Sequence, residues 1–231
     1  MEYSYSVVPI PTSPLLQAHV DKYASLRVRL LALRTNPECF FSTQDEEGRF
    51  SREQWRGRID TDDRVTLIAV ASRMLADSSP ESSSSSSFAN TSVSLDSLDG
   101  EAAEWVGLIT VLTPEFLKER RDNIPPKFQK YAMCFGEPAN VLVSMWVHPE
   151  HRRKGLGGRL ISEAIDWVKK RTVTTKNFDV SNGRLGGAVV LEVVKGNTGA
   201  GMLYRAMGFE TIDSEDASIW MGKRLDNLPY L

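Results

Sequence analysis

Apolar residues recur along this chain with two different periods. Between Tyr3 and Ile10 they alternate loosely, which predicts a strand. From there the spacing lengthens, and Leu16, Val20, Tyr23, Leu26, Leu30 and Leu33 fall on one helical face. Ser13 and Pro14 supply a capping hydroxyl and a first-turn proline for that helix, and Asn36-Pro37 ends it. Shorter helices are predicted over Arg52 to Ile59 and Pro114 to Asp122. Continuous apolar runs at Val65 to Val70, Trp105 to Leu112, Val141 to Val147 and Ala188 to Val194 have the length and composition of buried strands.

The second half of the chain alternates strand with helix. Leu156, Leu160, Ile161, Ala164, Ile165 and Val168 share one face of a helix that follows the Val141 to Val147 strand. A loop from Thr172 to Gly187 leads into the strand Ala188 to Val194. Asn197 then opens a second helix, with Ala200, Leu203, Tyr204 and Met207 on one face and Gly208 as its closing glycine. Phe209 to Ile212 and Ser218 to Met221 are expected to form a last hairpin. This order implies an α/β (α+β) sheet with a crossover connection, and no internal repeat is visible.

One segment breaks the pattern. Asp77 to Gly100 contains the run Ser82 to Ser87, few large apolar residues and no period. Such a stretch buries too little surface to offset its ordering entropy, so it reads as a disordered insertion. Strand-like stretches flank it closely, which favours a long hairpin connection over a domain linker. With 231 residues the chain is then expected to be a single domain, 1–231, carrying that insertion.

Composition narrows the function classes. Lys and Arg number 28 and Asp and Glu 30, so the net charge of -2 argues against wrapping nucleic acid by bulk charge. No apolar run is long enough to cross a bilayer, and the start of the chain lacks a basic stretch followed by an apolar core. Cys39 and Cys134 are too few for a disulfide scaffold or a structural zinc site. A reducing compartment, cytoplasm or nucleus, is expected, with no nucleic-acid or membrane partner and a monomer or homodimer as the assembly.

The informative chemistry lies between strand and helix at Arg152-Arg153-Lys154-Gly155-Leu156-Gly157-Gly158. Amides at a helix N-terminus point outward unpaired, and the dipole is positive there. Glycine lets an anion approach them, and Arg152, Arg153, Lys154 and Arg159 add charge. A pyrophosphate fits this turn, although an ordinary basic turn has the same letters. The dinucleotide fingerprint fails because Leu160 stands where its third glycine belongs, and the P-loop Gly-Lys-Ser/Thr is absent. A second glycine-rich stretch, Gly196 to Gly201, matches neither pattern.

Together these features resemble the GNAT superfamily of acetyl-CoA-dependent N-acetyltransferases. Arg152, Gly155 and Gly157 match its Arg/Gln-x-x-Gly-x-Gly/Ala motif, and Val147-His148-Pro149-Glu150 matches the strand ending before it. Asn197, Ala200, Leu203, Tyr204, Gly208 and Phe209 match its later asparagine, Leu-Tyr and Gly-Phe signature. The resemblance is strong from about Asn140 to Arg224. It implies a mixed, mostly antiparallel sheet, flanked by helices and splayed between the fourth and fifth strands. It also implies acetyl-CoA as cosubstrate, without a metal, and an amine acceptor. The pantetheine arm is then expected against Met145 and Val147 in the manner of an added strand. The amides of Arg153, Lys154, Gly155, Leu156, Gly157 and Gly158 are expected on the pyrophosphate, with Arg152 in the same turn and Asn197 on the pantetheine.

Amine attack on a thioester needs a base and benefits from a proton donor at the departing thiolate. By pattern alone Tyr204 packs on an apolar helix face; the resemblance makes it the acid. Glu192 interrupts the apolar strand Val189 to Val194, which puts it on a solvated face or in a cleft. The similar Leu-Glu-Val strand of ribosomal-protein N-terminal alanine acetyltransferases implies Glu192 as the base, with another base or a water chain, as used by other members with this strand, as the alternative. His148 and His151 form a histidine pair for which no third metal ligand is evident. Ser144 and Trp146 are expected to pack or face the cleft, and Cys134 to be inert. Two acidic loops, Asp45-Glu46-Glu47 and Asp213, Glu215, Asp216, would favour a cationic acceptor or simply face solvent. The rival function is a non-catalytic acyl-CoA-binding protein of the same fold.

Overall fold

A computed structural model describes residues 2–12, 16–24, 29–73, 103–174 and 187–225. The serine-rich segment, Ser13-Pro14 and most of the loop ahead of the fifth strand lie outside the described residues.

Seven strands form one sheet: β1 (Tyr3–Pro9), β2 (Arg64–Arg73), β3 (Ala103–Leu112), β4 (Asn140–Val147), β5 (Gly187–Val194), β6 (Glu210–Ser214) and β7 (Ser218–Leu225). Their order is β1-β2-β3-β4-β5-β7-β6. All neighbours are antiparallel except β4 and β5, which run parallel. The apolar runs read from the sequence are these strands, each extended by a few residues into less apolar flanks.

The longest helix, α7 (Leu156–Thr174), joins β4 to the segment before β5 and covers one face of the sheet. Its stripe of Leu156, Leu160, Ile161, Ala164, Ile165 and Val168 is buried throughout, against Leu67, Ile109, Leu142 and Leu191. Each large aliphatic side chain so buried contributes about 1.5–3 kcal/mol of transfer free energy. The opposite face carries α1 (Leu16–Ala24), α2 (Arg29–Thr35), α3 (Gln44–Glu47) and α4 (Arg52–Arg56). There Val20, Tyr23, Leu33 and Trp55 pack on Ile68, Val70 and Leu108.

The single helix read from Ser13 to Asn36 is seen as α1 and α2 on either side of 25–28, which lie outside the described residues. The helix expected to run to Ile59 stops at Arg56, because Gly57 caps it. Pro114 to Asp122 resolves into α5 (Pro114–Glu119) and a single tighter turn, Arg121–Asn123.

A helix not read from the sequence, α6 (Pro126–Ala132), precedes β4. Pro126 stands in its first turn, where a missing N–H costs nothing. Its Tyr131 stacks on Trp220 of β7 with ring centroids 4.3 Å apart, and Phe128 meets the same indole edge-on. The last helix, α8 (Thr198–Ala206), starts at Asn197, whose side chain accepts from the Ala200 amide. It closes at Gly208, whose φ of 82° lies in the left-handed region, as read from the sequence. No described helix is long and apolar enough to cross a membrane.

Candidate active site

The sheet opens where its two parallel strands part. β4 and β5 are paired only from Asn140 to Leu142 against Val189 to Leu191. Beyond Leu142 a bulge redirects β4. Val143 faces Thr110 and Trp146 faces Leu108, so Ser144 and Met145 together oppose Ile109 alone. Ser144 carries the strain of this bulge, with φ at 59° in a non-glycine residue. Farther along, the His148 amide donates to the Val106 carbonyl at 2.7 Å. Backbone groups alternate along a strand, so Val147 turns its N–H and C=O away from β3 and toward the gap. Arg152 Nε already takes that carbonyl at 2.9 Å.

The gap is a cleft of about 210 Å³. Ser144 and Met145 line it from β4, Glu192 and Val194 from β5, and Asn197 and Tyr204 from the α8 segment. The strand ends bring Ser144, Met145, Glu192, Asn197 and Tyr204 together around one cleft. The remaining walls were not anticipated. Cys39, Phe40, Phe41 and Ser42 come from the segment after α2, and Phe128 from α6. A Phe-Phe pair in a polar loop and the Pro125-Pro126 helix start are the sequence signals that could have marked them.

The basic turn Arg152 to Gly158 lies at the mouth of α7. Arg153 (φ 63°) and Gly155 (φ 77°) both adopt left-handed backbone, which swings successive amides to one side. The first helical amide with a backbone acceptor is that of Arg159, bonded to the Gly155 carbonyl at 3.1 Å. The amides of Leu156, Gly157 and Gly158 precede it at the positive end of a 19-residue helix. A Cβ at Gly157 would stand 2.7 Å from Leu203 Cδ2 and 3.1 Å from Met145 Cε, so glycine there permits close packing of α7, α8 and β4. Three of the basic side chains reach elsewhere. Arg152 reaches Asn36 Oδ1 at 2.5 Å, Lys154 Nζ reaches the Tyr5 hydroxyl at 2.9 Å, and Arg159 reaches the Tyr5 carbonyl at 2.9 Å.

Glu192 faces the cleft, not solvent, with only 4% of its side chain exposed. Its Oε1 accepts from Lys127 Nζ at 2.7 Å and from Ser218 Oγ at 2.6 Å. Its Oε2 is buried with no hydrogen-bond partner among the described residues. Tyr204 is 7% exposed, and its hydroxyl donates to Met145 Sδ at 3.3 Å. Burial pushes this phenol far above its ordinary range, so it keeps its proton at neutral pH.

The other candidates divide plainly. Trp146 is buried and donates to Asn36 Oδ1 at 3.1 Å, so it packs and ties β4 to the segment after α2. Cys134 is exposed, outside the cleft, and its thiol is shifted up by desolvation. His148 and His151 do have a third group nearby, contrary to the sequence reading: one ligand atom of each and of Glu150 lie within 4.8 Å of one another. The short turn Pro149–His151 causes this convergence, while His151 Nδ1 is engaged by the Tyr5 hydroxyl at 3.0 Å. Of the acidic loops, Glu46 caps its own helix, and Glu47 is buried against Arg58 at 3.4 Å. Asp213 and Glu215 both accept from the Tyr131 hydroxyl.

Residues 126–211 match the family model described as the acetyltransferase (GNAT) domain. That stretch holds α6, β4, the glycine turn, α7, β5 and α8. Over these residues the chain is similar to a GNAT acetyltransferase domain. Solved structures share its fold. A GNAT-family acetyltransferase from Streptococcus pneumoniae superposes with a TM-score of 0.55 at 15% identity, covering 96% of this chain and 99% of that one. One from Staphylococcus aureus gives 0.52 at 10%, covering 96% and 100%. The PaiA N-acetyltransferase of Thermoplasma acidophilum, solved with coenzyme A, gives 0.50 at 13%, covering 96% and 99%. No curated protein sequence matches the chain. The splayed β4–β5 pair and the glycine turn are thus parts of a GNAT fold, and Phe128 of α6 and the 39–42 segment line the same cleft.

Proposed function

We propose that this chain transfers the acetyl group of acetyl-CoA to a primary amine by direct attack, within one catalytic domain. One observation carries the reading: a buried carboxylate oxygen without a partner, Glu192 Oε2, lines the same cleft as the proton-bearing hydroxyl of Tyr204.

The pyrophosphate rests on the amides of Arg153 to Gly158. The pantetheine arm lies along Met145 and Val147, with Asn197 beside it, and the thioester reaches the bulge at Ser144. Glu192 accepts a proton from the incoming ammonium, and the free amine attacks the acetyl carbon. Backbone amides freed by the bulge hold the oxyanion. The C–S bond breaks, and the Tyr204 hydroxyl hydrogen-bonds or protonates the departing thiolate. That hydroxyl already meets a sulfur, that of Met145, and exchanges it for the sulfur of the cosubstrate. The acceptor is a primary amine of a small molecule, polyamine or protein; Asp213 and Glu215, expected from the sequence to attract it, are engaged by Tyr131.

A thiol-release assay with a panel of primary amines tests this. Turnover with amines, abolished without acetyl-CoA, is the expected result. Binding of coenzyme A without release in any amine would assign the chain to acyl-CoA binding alone.

A further inference from the structure

Lys127 is the one cation that touches Glu192 among the described residues, and it does so from an element outside the cleft's expected frame. Its ammonium stands 2.7 Å from Glu192 Oε1 and 4.5 Å from the centroid of the Phe41 ring. Both Glu192 and Phe41 line the cleft. A primary ammonium on a flexible four-carbon stem is thereby held between the carboxylate and an aromatic face that both line the cleft. These are the features an amine acceptor would need.

We infer that Lys127 is itself an acceptor, and that the chain acetylates its own Nζ in cis. The inference rests on the acetyl-transfer reading above. Glu192 takes one proton from the ammonium, and the nitrogen lone pair forms a bond to the acetyl carbon. Collapse of the tetrahedral intermediate breaks the C–S bond. The second nitrogen proton leaves as the thiolate becomes the thiol, so the products are acetyl-lysine, coenzyme A and one proton released. The acetylated side chain carries no charge, and Glu192 loses its ion partner in the product.

The neighbouring lysine of the same helix provides an internal control. Lys130 is more exposed, 64% against 32%, but its ammonium is tied to Asp213 and to the Tyr131 hydroxyl, away from Glu192. Random chemical acetylation follows exposure and would favour Lys130; acetylation by the cleft favours Lys127.

The test is incubation of the full chain with deuterium-labelled acetyl-CoA and no added amine, followed by intact mass and peptide mapping over time. One acetyl group at Lys127 is expected, roughly 100-fold faster than at Lys130, as a positioned base and nucleophile would give. Its rate should not depend on protein concentration. Glu192→Gln should slow labelling of Lys127 and leave Lys130 unchanged, and Lys127→Arg should remove the fast label. Equal rates at the two lysines, or a rate proportional to protein concentration, would overturn the inference. The amine panel run alongside separates the two readings. Amine turnover with Lys127 unmodified overturns self-acetylation alone. Coenzyme A binding with neither amine turnover nor labelling overturns both.

Discussion

The Tyr204 hydroxyl on α8 donates to the thioether sulfur of Met145 on β4, 3.3 Å away. This contact bridges the opened sheet at the bulge, where β5 no longer pairs with β4. Replacing Tyr204 by Phe keeps the ring against Phe209 and removes only the donor. Acetyl transfer is expected to fall about 100-fold, in the range of a lost acid, with little change in KM for acetyl-CoA. Denaturant midpoints should move by no more than about 1 kcal/mol, the value of one modest hydrogen bond. Steady-state kinetics and urea unfolding of the variant check both. Unchanged turnover would leave Tyr204 a packing residue.

Glu192→Gln keeps the size of the side chain and removes its charge. Ser218 Oγ can still donate to the amide oxygen, so the local fold should persist. Turnover should fall by about 100-fold or more, and the acidic limb of the pH–rate profile should disappear. The profile decides the role: a retained acidic limb with normal turnover would exclude this carboxylate as the base.

Why some of the site could be read from the sequence and some could not follows from the range of the interactions. The glycine turn proposed to hold the pyrophosphate is local. Seven consecutive residues supply its glycines, its left-handed backbone and its helix end, so the turn and the helix start after it were legible directly, but not what the turn binds. The buried stripe of α7 was legible for the same reason, since one face of a helix repeats every 3.6 residues. Glu192 was legible as an anomaly, a carboxylate in an apolar strand, but not its partner. Lys127 lies 65 positions away on a helix whose apolar residues, Phe128 and Tyr131, give too short a run to mark a period. The Ser144 bulge is set by the mismatch between β3 and β4, which no single strand records.

Gly155 tests the glycine turn without steric interference. Its φ is 77°, and a Cβ there would meet nothing within 4 Å. Any effect of Gly155→Ala is therefore conformational. Holding alanine in left-handed backbone costs about 1–2 kcal/mol. If the backbone relaxes instead, the amides of the turn lose their common direction. KM for acetyl-CoA should rise several-fold while kcat changes little, because the pyrophosphate is bound equally in ground and transition states. Calorimetric titration with coenzyme A should show the same weakening. Unaltered affinity would detach this turn from pyrophosphate binding.

Asp213 gives a prediction about acid stability. Hydrogen bonds from the Tyr131 hydroxyl and the Lys130 ammonium, in that order, bring its carboxyl down to about 2. The folded value lies below the ordinary carboxylate value of about 3.8. The folded state therefore binds this proton less readily than the unfolded chain does. Its contribution to stability is complete above pH 4 and is lost as pH falls from there toward 2. The same hydrogen bond raises the Tyr131 phenol, because ionising the phenol would set two anions together. Asp213→Asn removes the titrating group. Urea midpoints measured between pH 5 and pH 2 should fall less steeply in the variant than in the parent chain, and the Tyr131 phenol should titrate at lower pH by NMR. Identical pH slopes in the two proteins would mean that the Tyr131–Asp213 contact does not persist in solution.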